Sequence, residues 1–128
     1  MIKVLAGIIE KDGKILIARR KPETNLAGKW EFPGGKLEQG ETPEECLYRE
    51  ILEELGIKIQ LGEYYCTSKY CYEHISIELL VYKALYQSGN IVLTDHDEAE
   101  WVSITELKNY DFAEADITVV NKLIETIQ

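Results

Sequence analysis

The stretch Gly35-Lys-Leu-Glu-Gln-Gly-Glu41-Thr-Pro-Glu-Glu-Cys-Leu-Tyr-Arg49-Glu50-Ile-Leu-Glu53-Glu54-Leu-Gly56-Ile57 decides how this chain is read. Thr42 can cap a helix, Pro43 suits its first position, and Glu45 closes a capping box. Gly56 stands where a left-handed helix stop belongs. Between these ends Glu50, Glu53 and Glu54 fall at i, i+3 and i+4 and share one face. Leu47, Ile51 and Leu55 repeat at i+4 on another face, a core-facing stripe. Like charges stacked in this way destabilise a helix by about 0.2–0.5 kcal/mol per pair. A cation at that face would relieve them, and hard carboxylate oxygens favour Mg2+ or Mn2+.

The plainer alternative is a solvated acidic face paired with basic side chains. Arg49 can pair with Glu45 or Glu53 at i±4, but one guanidinium does not neutralise the cluster. A glycine turn, Pro33-Gly34-Gly35, comes before the helix, and Glu41 adds another acid. Carbonyls and carboxylates converging from loop and helix are how a cation cage is assembled. Glu44 keeps the surface reading, and Glu45 is accounted for by capping.

Working outward, 128 residues make one domain with room for a core. The net charge of −9 opposes binding of duplex nucleic acid, which needs a basic face. It also opposes a polyphosphate ligand unless metal ions intervene. No apolar run approaches the roughly 20 residues of a membrane span. The opening Met1-Ile-Lys-Val-Leu-Ala6 runs directly into a strand pattern with no cleavage site, so a cytoplasmic protein is expected. Cys46, Cys66 and Cys71 are odd in number and lack C-x-x-C spacing, which gives neither a zinc site nor a disulfide framework. His74 and His96 read as isolated, and covalent catalysis has no support.

Strands are expected over 2–10 and 15–20, joined by an Asp12-Gly13 hairpin turn. A polar loop, 21–29, leads to Trp30-Glu31-Phe32-Pro33 and then to the acidic helix. Two long antiparallel strands follow over 57–69 and 72–86, with period-two alternation from His74 to Leu79. A short strand over 100–104, a small helix over 105–110 and a terminal helix over 116–127 complete a mixed α/β domain. In that last helix Ile117, Val120, Leu123, Ile124 and Ile127 fit packing within the chain or against a partner.

Gly35 to Ile57 resembles the Nudix box, G-x5-E-x7-R-E-U-x-E-E-x-G-U with U aliphatic, at every fixed position. The resemblance implies a mixed, curved sheet sandwiched between helices, with the box as a loop-helix-loop at its rim. It also implies hydrolysis of a nucleoside diphosphate linkage with Mg2+ or Mn2+. Carried over residue by residue, Glu50, Glu53, Glu54 and the carbonyl of Gly34 match metal ligands. Glu50 or Glu53 would activate water, Arg49 would hold a glutamate in place, and Glu41 matches a supporting position. Asp95, followed by His96, stands where relatives carry Glu-His facing the metals, one methylene shorter here. Glu98 is the substitute for that role.

Similarity to the MutT branch continues through Ala18-Arg19-Arg20-Lys21, Trp30 to Lys36 and Asp111 to Ile117. It implies a nucleoside triphosphate substrate cut to a monophosphate and pyrophosphate. Arg20 matches a substrate contact, and Phe32 matches a base-packing aromatic, with plain core as the alternative. Lys36, after the glycine turn, can contact phosphate or simply be solvated. Asp116 stands where guanine-sanitising relatives carry Asn. An ionised Asp only accepts hydrogen bonds, which suits the exocyclic amine of cytosine. Asp116 could equally cap the last helix. The expectation is a CTP- or dCTP-preferring pyrophosphohydrolase, with 8-oxo-dGTP hydrolysis as the alternative. ADP-ribose hydrolases carry a proline after the box, where this chain has none; Tyr70 and Tyr72 keep a dinucleoside polyphosphate substrate open. A non-catalytic nucleotide sensor is the alternative from another class, and either a monomer or a homodimer fits.

Overall fold

The computed structural model describes residues 1–22 and 26–126. Part of the expected 21–29 loop and Ile127 of the terminal helix therefore lie outside the described residues. Strand β1 (Ile2–Lys11) turns through Asp12 and Gly13, both at positive φ (51° and 77°), into β2 (Lys14–Arg20). Two successive positive φ values give the twist-matched turn that Asp-Gly favours. Two short strands follow, β3 (Trp30–Glu31) and β4 (Gly34–Lys36), then helix α1 (Pro43–Leu55). Strands β5 (Lys58–Tyr72), β6 (Ile75–Ser88) and β7 (His96–Val102) precede a 3-10 turn over Ile104–Asn109 and helix α2 (Glu114–Thr126).

Helix α1 begins and ends where the sequence places it. Thr42 accepts the Glu45 N–H, Glu45 returns the bond to the Thr42 N–H, and Gly56 closes the helix at φ 71°. Leu47, Ile51 and Leu55 are buried, as the stripe requires, together with Cys46. Each such aliphatic side chain contributes about 1.5–3 kcal/mol on burial. Several boundaries differ from expectation, and the strand expected over 100–104 runs instead over His96–Val102. The 57–69 strand continues to Tyr72, so the β5–β6 hairpin turns at Glu73-His74. The glycine turn is itself paired, since Gly34 to Lys36 run antiparallel to Val4 to Ala6. The last helix starts at Glu114 rather than Asp116.

The sheet is mixed, ordered β3-β2-β1-β6-β5, with β4 beside β1 and β7 beside β2. Strands β1 and β6 run parallel from Ile2–Ile77 to Glu10–Leu85. By contrast β1 and β2 pair only next to their turn, at Glu10–Ile15 and Lys11–Lys14. Beyond it they part, and the gap takes β4 on the β1 side and β3 on the β2 side, while β7 runs along the outer edge of β2. Helix α1 packs one apolar cluster over Leu5, Ile9, Leu16 and Ile57. Helix α2 and the 3-10 turn pack the other over Ile8, Ile17, Phe32 and Val81. No helix among the described residues is long and apolar enough to cross a membrane.

Candidate active site

Where β1 and β2 have parted, a cleft of about 450 Å³ opens. Of the residues singled out in the sequence, Arg20, Phe32, Gly34, Lys36, Glu50, Glu54, Asp95 and Asp116 line it. Arg49 and Glu53 do not. Arg49 sits at the outer edge, donating from Nε to Glu41 Oε2 at 2.6 Å and from Nη1 to Glu50 Oε1 at 2.7 Å and Glu53 Oε2 at 3.1 Å. Its partners are thus Glu41, Glu50 and Glu53; Glu45, the other sequence candidate, is occupied by the helix cap. The Glu53 side chain stays 61% exposed. The Arg49 hydrogen bond holds the Glu41 carboxyl down at about 2.

Glycine is required where the loop meets this helix. A Cβ on Gly35 would lie 2.1 Å from Glu50 Oε2, and one on Gly34 would lie 1.8 Å from the Leu5 carbonyl oxygen. The loop is held against α1 by the Cys46 thiol, which points at the Lys36 carbonyl at 3.4 Å. Burial pushes that thiol up to about 12, so it stays protonated as a weak donor.

Glu54 is perturbed by burial and by its acidic neighbours. Burial first, then the charges of Glu50, Asp95 and Glu31, raise its carboxyl to about 8. Asp95 therefore faces this cluster, whereas Glu98 pairs with Arg19 at 3.6 Å and does not line the cleft. Among the described residues no three acidic side chains already converge as a metal cage, because Arg49 draws Glu50 and Glu53 to itself. The donor set nonetheless suits a hard divalent cation. Glu50, Glu54 and Asp95 supply carboxylate oxygens at one end of the cleft, and a cation there would relieve the charge that raises Glu54.

Further along the cleft lie two more acids, Asp116 and Glu31, the charge of Glu31 reaching both Asp116 and Glu54. Asp116, in the first turn of α2, is 6% exposed, and its Oδ1 accepts the Phe32 N–H at 3.0 Å. Burial, and then the charge of Glu31, push its carboxyl well above the usual range. That shift favours the protonated form, which donates as well as accepts, whereas the ionised form expected from the sequence only accepts. Its side chain serves Phe32 rather than the start of α2. That start is pinned instead by Tyr72 Oη, which accepts the Ala115 N–H at 3.0 Å, and by Ser68 Oγ, which donates to the Ala115 carbonyl at 2.8 Å. Phe32 is only 3% exposed and stacks on Phe112 at 5.2 Å, so it is chiefly core with one edge on the cleft.

Glu31 went unrecognised in the sequence. It lines the cleft beside Asp116, and its Oε2 lies 2.8 Å from His96 Nε2 and 3.5 Å from Arg20 Nη1. His96, read as isolated, is fully buried against it. The available signal was a charged residue wedged between Trp30 and Phe32, directly before the glycine turn.

The NUDIX domain family matches residues 4–122. The chain is 39% identical over 120 residues to the CTP pyrophosphohydrolase of Escherichia coli strain K12, covering 94% of this chain and 89% of that protein. It is 34% identical over 123 residues to the 8-oxo-dGTP diphosphatase of the same strain, covering 95% of each. The solution structure of the Nudix hydrolase MutT of methicillin-resistant Staphylococcus aureus 252 superposes with a TM-score of 0.77 at 39% identity, covering 98% of this chain and 96% of that one. With a family match over nearly all its length, and relatives named for cutting phosphoanhydride bonds, the chain belongs to the NUDIX domain family and is a hydrolase of that class.

Proposed function

We propose that this protein is a Mg2+-dependent nucleoside triphosphate pyrophosphohydrolase, with Mn2+ as a substitute, that releases a nucleoside monophosphate and pyrophosphate. Its preferred substrates are CTP, dCTP or modified deoxycytidine triphosphates. The observation that carries the reading is a single cleft lined by box carboxylates and by the further acids Glu31 and Asp116. Glu50, Glu54, Asp95 and the Gly34 carbonyl would hold the metal, which when bound polarises phosphoryl oxygens and offsets the protein's negative charge. Glu50, inside the cleft, is better placed than the exposed Glu53 to take a proton from water. Arg49 fixes Glu50 through the 2.7 Å pair, so that carboxylate keeps one orientation. Lys36 and Arg20, on the cleft wall, supply positive charge toward phosphate.

At the base end, Asp116 in its protonated form would present one donor and one acceptor, which complements the N3 acceptor and N4 amine of cytosine. The Glu31 carboxylate beside it favours a base edge rich in N–H groups and disfavours carbonyl oxygens. The cytidine nucleotide in the name of the 39% identical relative points the same way. The 8-oxo-dGTP named for the 34% identical relative is the second reading, since a neutral carboxyl can also serve a guanine edge. A nucleotide pool as substrate, together with three free cysteines, favours a cytoplasmic location. The test is a panel of nucleoside triphosphates with Mg2+, following pyrophosphate and monophosphate release. Cytidine nucleotides should turn over fastest. Faster hydrolysis of 8-oxo-dGTP than of every cytidine nucleotide would reject the base assignment, and binding without turnover would favour a sensor.

A further inference from the structure

We propose that His96 is a positioning residue that fixes the Glu31 carboxylate for recognition of the base, an inference that rests on the reading above. Glu31 sits on the two-residue strand β3, opposite Ala18 of β2, and a single bridge from Trp30 to Phe112 joins the far side of β3 to the segment before α2. So short a strand does not by itself hold a side chain in one rotamer. Two donors converge on one of its oxygens, His96 Nε2 at 2.8 Å and Arg20 Nη1 at 3.5 Å. Among the described residues no hydrogen bond reaches its other oxygen, Oε1, and the side chain lines the cleft. The clamp thus uses one oxygen and leaves the second for a ligand donor.

His96 is a costly choice for plain packing. It is 1% exposed, and its Nδ1 is buried without a hydrogen-bond partner. An apolar side chain of similar volume would fill the space without leaving a polar nitrogen unsatisfied. The imidazole is explained by what its other nitrogen does, which is to hold Glu31. The backbone also makes a special arrangement for it. The β2–β7 ladder pairs Arg19 with Glu98 and then Arg20 with His96, so a bulge falls at Asp97. Asp97 and Glu98 both turn to Arg19, at 2.8 and 3.6 Å, while His96 is left opposite Arg20 and turned toward Glu31. The preceding residue, Asp95, faces the carboxylates at the metal end. One bulged strand start therefore sets both ends of the cleft.

The test compares kcat and KM for CTP and 8-oxo-dGTP in the wild type, Glu31→Gln, His96→Leu, His96→Gln and the Glu31→Gln/His96→Leu double variant, with Tm measured on each. His96→Leu should raise KM for the preferred nucleotide about tenfold, with kcat within about threefold and Tm no lower, as loss of one charge-assisted hydrogen bond implies. His96→Gln, whose amide can reach the position of Nε2, should recover most of that loss. The double variant should be no worse than Glu31→Gln alone, because both changes remove the same contact. A folded His96→Leu protein with wild-type KM and base preference, beside an impaired Glu31→Gln, would overturn the role of His96 and leave the functional reading intact. Unchanged base preference in Glu31→Gln would reject the base end itself. If His96→Leu does not fold, His96→Asn against His96→Gln decides. The shorter amide should lose affinity and the longer keep it, and equal behaviour would overturn the proposal.

Discussion

Asp95 apart, the two ends of the cleft are assembled in opposite ways. At the box end, Glu41, Thr42, Glu45, Arg49, Glu50 and Gly56 find their partners within a loop and the helix that follows it, and Arg49 reaches no further back than Lys36. At the base end, Glu31 meets His96 across 65 positions and Phe32 meets Asp116 across 84. A local unit builds its charge geometry from helical spacing, and rigid backbone supports it. A non-local unit depends on strand register, here on a bulge in β7 and on the pinning of α2 by β5. The box end should therefore control the rate of the chemistry, and the base end the choice of nucleotide.

The sharpest way to break this division is at the box. Glu50→Gln should lower kcat by about 10³-fold with little change in base preference, measured by pyrophosphate release. A comparable loss confined to one nucleotide would contradict it. Gly35→Ala forces a methyl group into the space of the Glu50 carboxylate and should cost about 10²-fold in kcat, as displacement of a catalytic group by about 1 Å does. At the other end, Asp116→Asn should leave the best kcat within about tenfold while shifting preference toward guanine nucleotides, since an amide nitrogen offers two N–H donors where a carboxyl offers at most one, which suits a base edge bearing a carbonyl oxygen. An unchanged ranking would show that Asp116 does not read the base.

Acid titration gives a smaller, thermodynamic handle on the same contrast. Folding raises Glu54 from its ordinary 4.5 to about 8, so between those values the folded state binds more protons than the unfolded chain. Stability of the metal-free protein should therefore fall as pH rises from 4.5 to 8, seen as a declining Tm. Mg2+ should restore Tm more at pH 8 than at pH 5, and Glu54→Gln should flatten the pH slope. The smallest effect is expected at Tyr72→Phe, which removes the acceptor for the Ala115 N–H at the start of α2. It should cost about 1 kcal/mol of stability by denaturant titration and weaken base preference only slightly.

The same contrast explains what could be read in advance. The helix over Pro43–Leu55, its caps, its buried stripe and the β1–β2 turn follow from short-range rules, and the structure has them at the expected residues. The pairing of Gly34 to Lys36 with β1 was not legible, because a two-glycine segment carries no strand periodicity. Nor was the Glu31–His96 pair, since neither residue has a distinctive neighbour spacing and their meeting depends on β2 lying between β3 and β7. Asp116 was legible as a candidate, but the upward shift of its carboxyl was not. Burial inside α2's first turn and proximity to Glu31 are tertiary facts that the sequence around it does not contain.

A structure with Mg2+ and a non-cleavable α,β-methylene CTP analogue tests the two-ended cleft most directly. The account predicts metal among Glu50, Glu54 and Asp95, phosphates toward Lys36 and Arg20, and the cytosine amine within hydrogen-bond distance of Glu31 or Asp116. A base seated away from both acids, or metal bound by side chains outside the cleft, would contradict it.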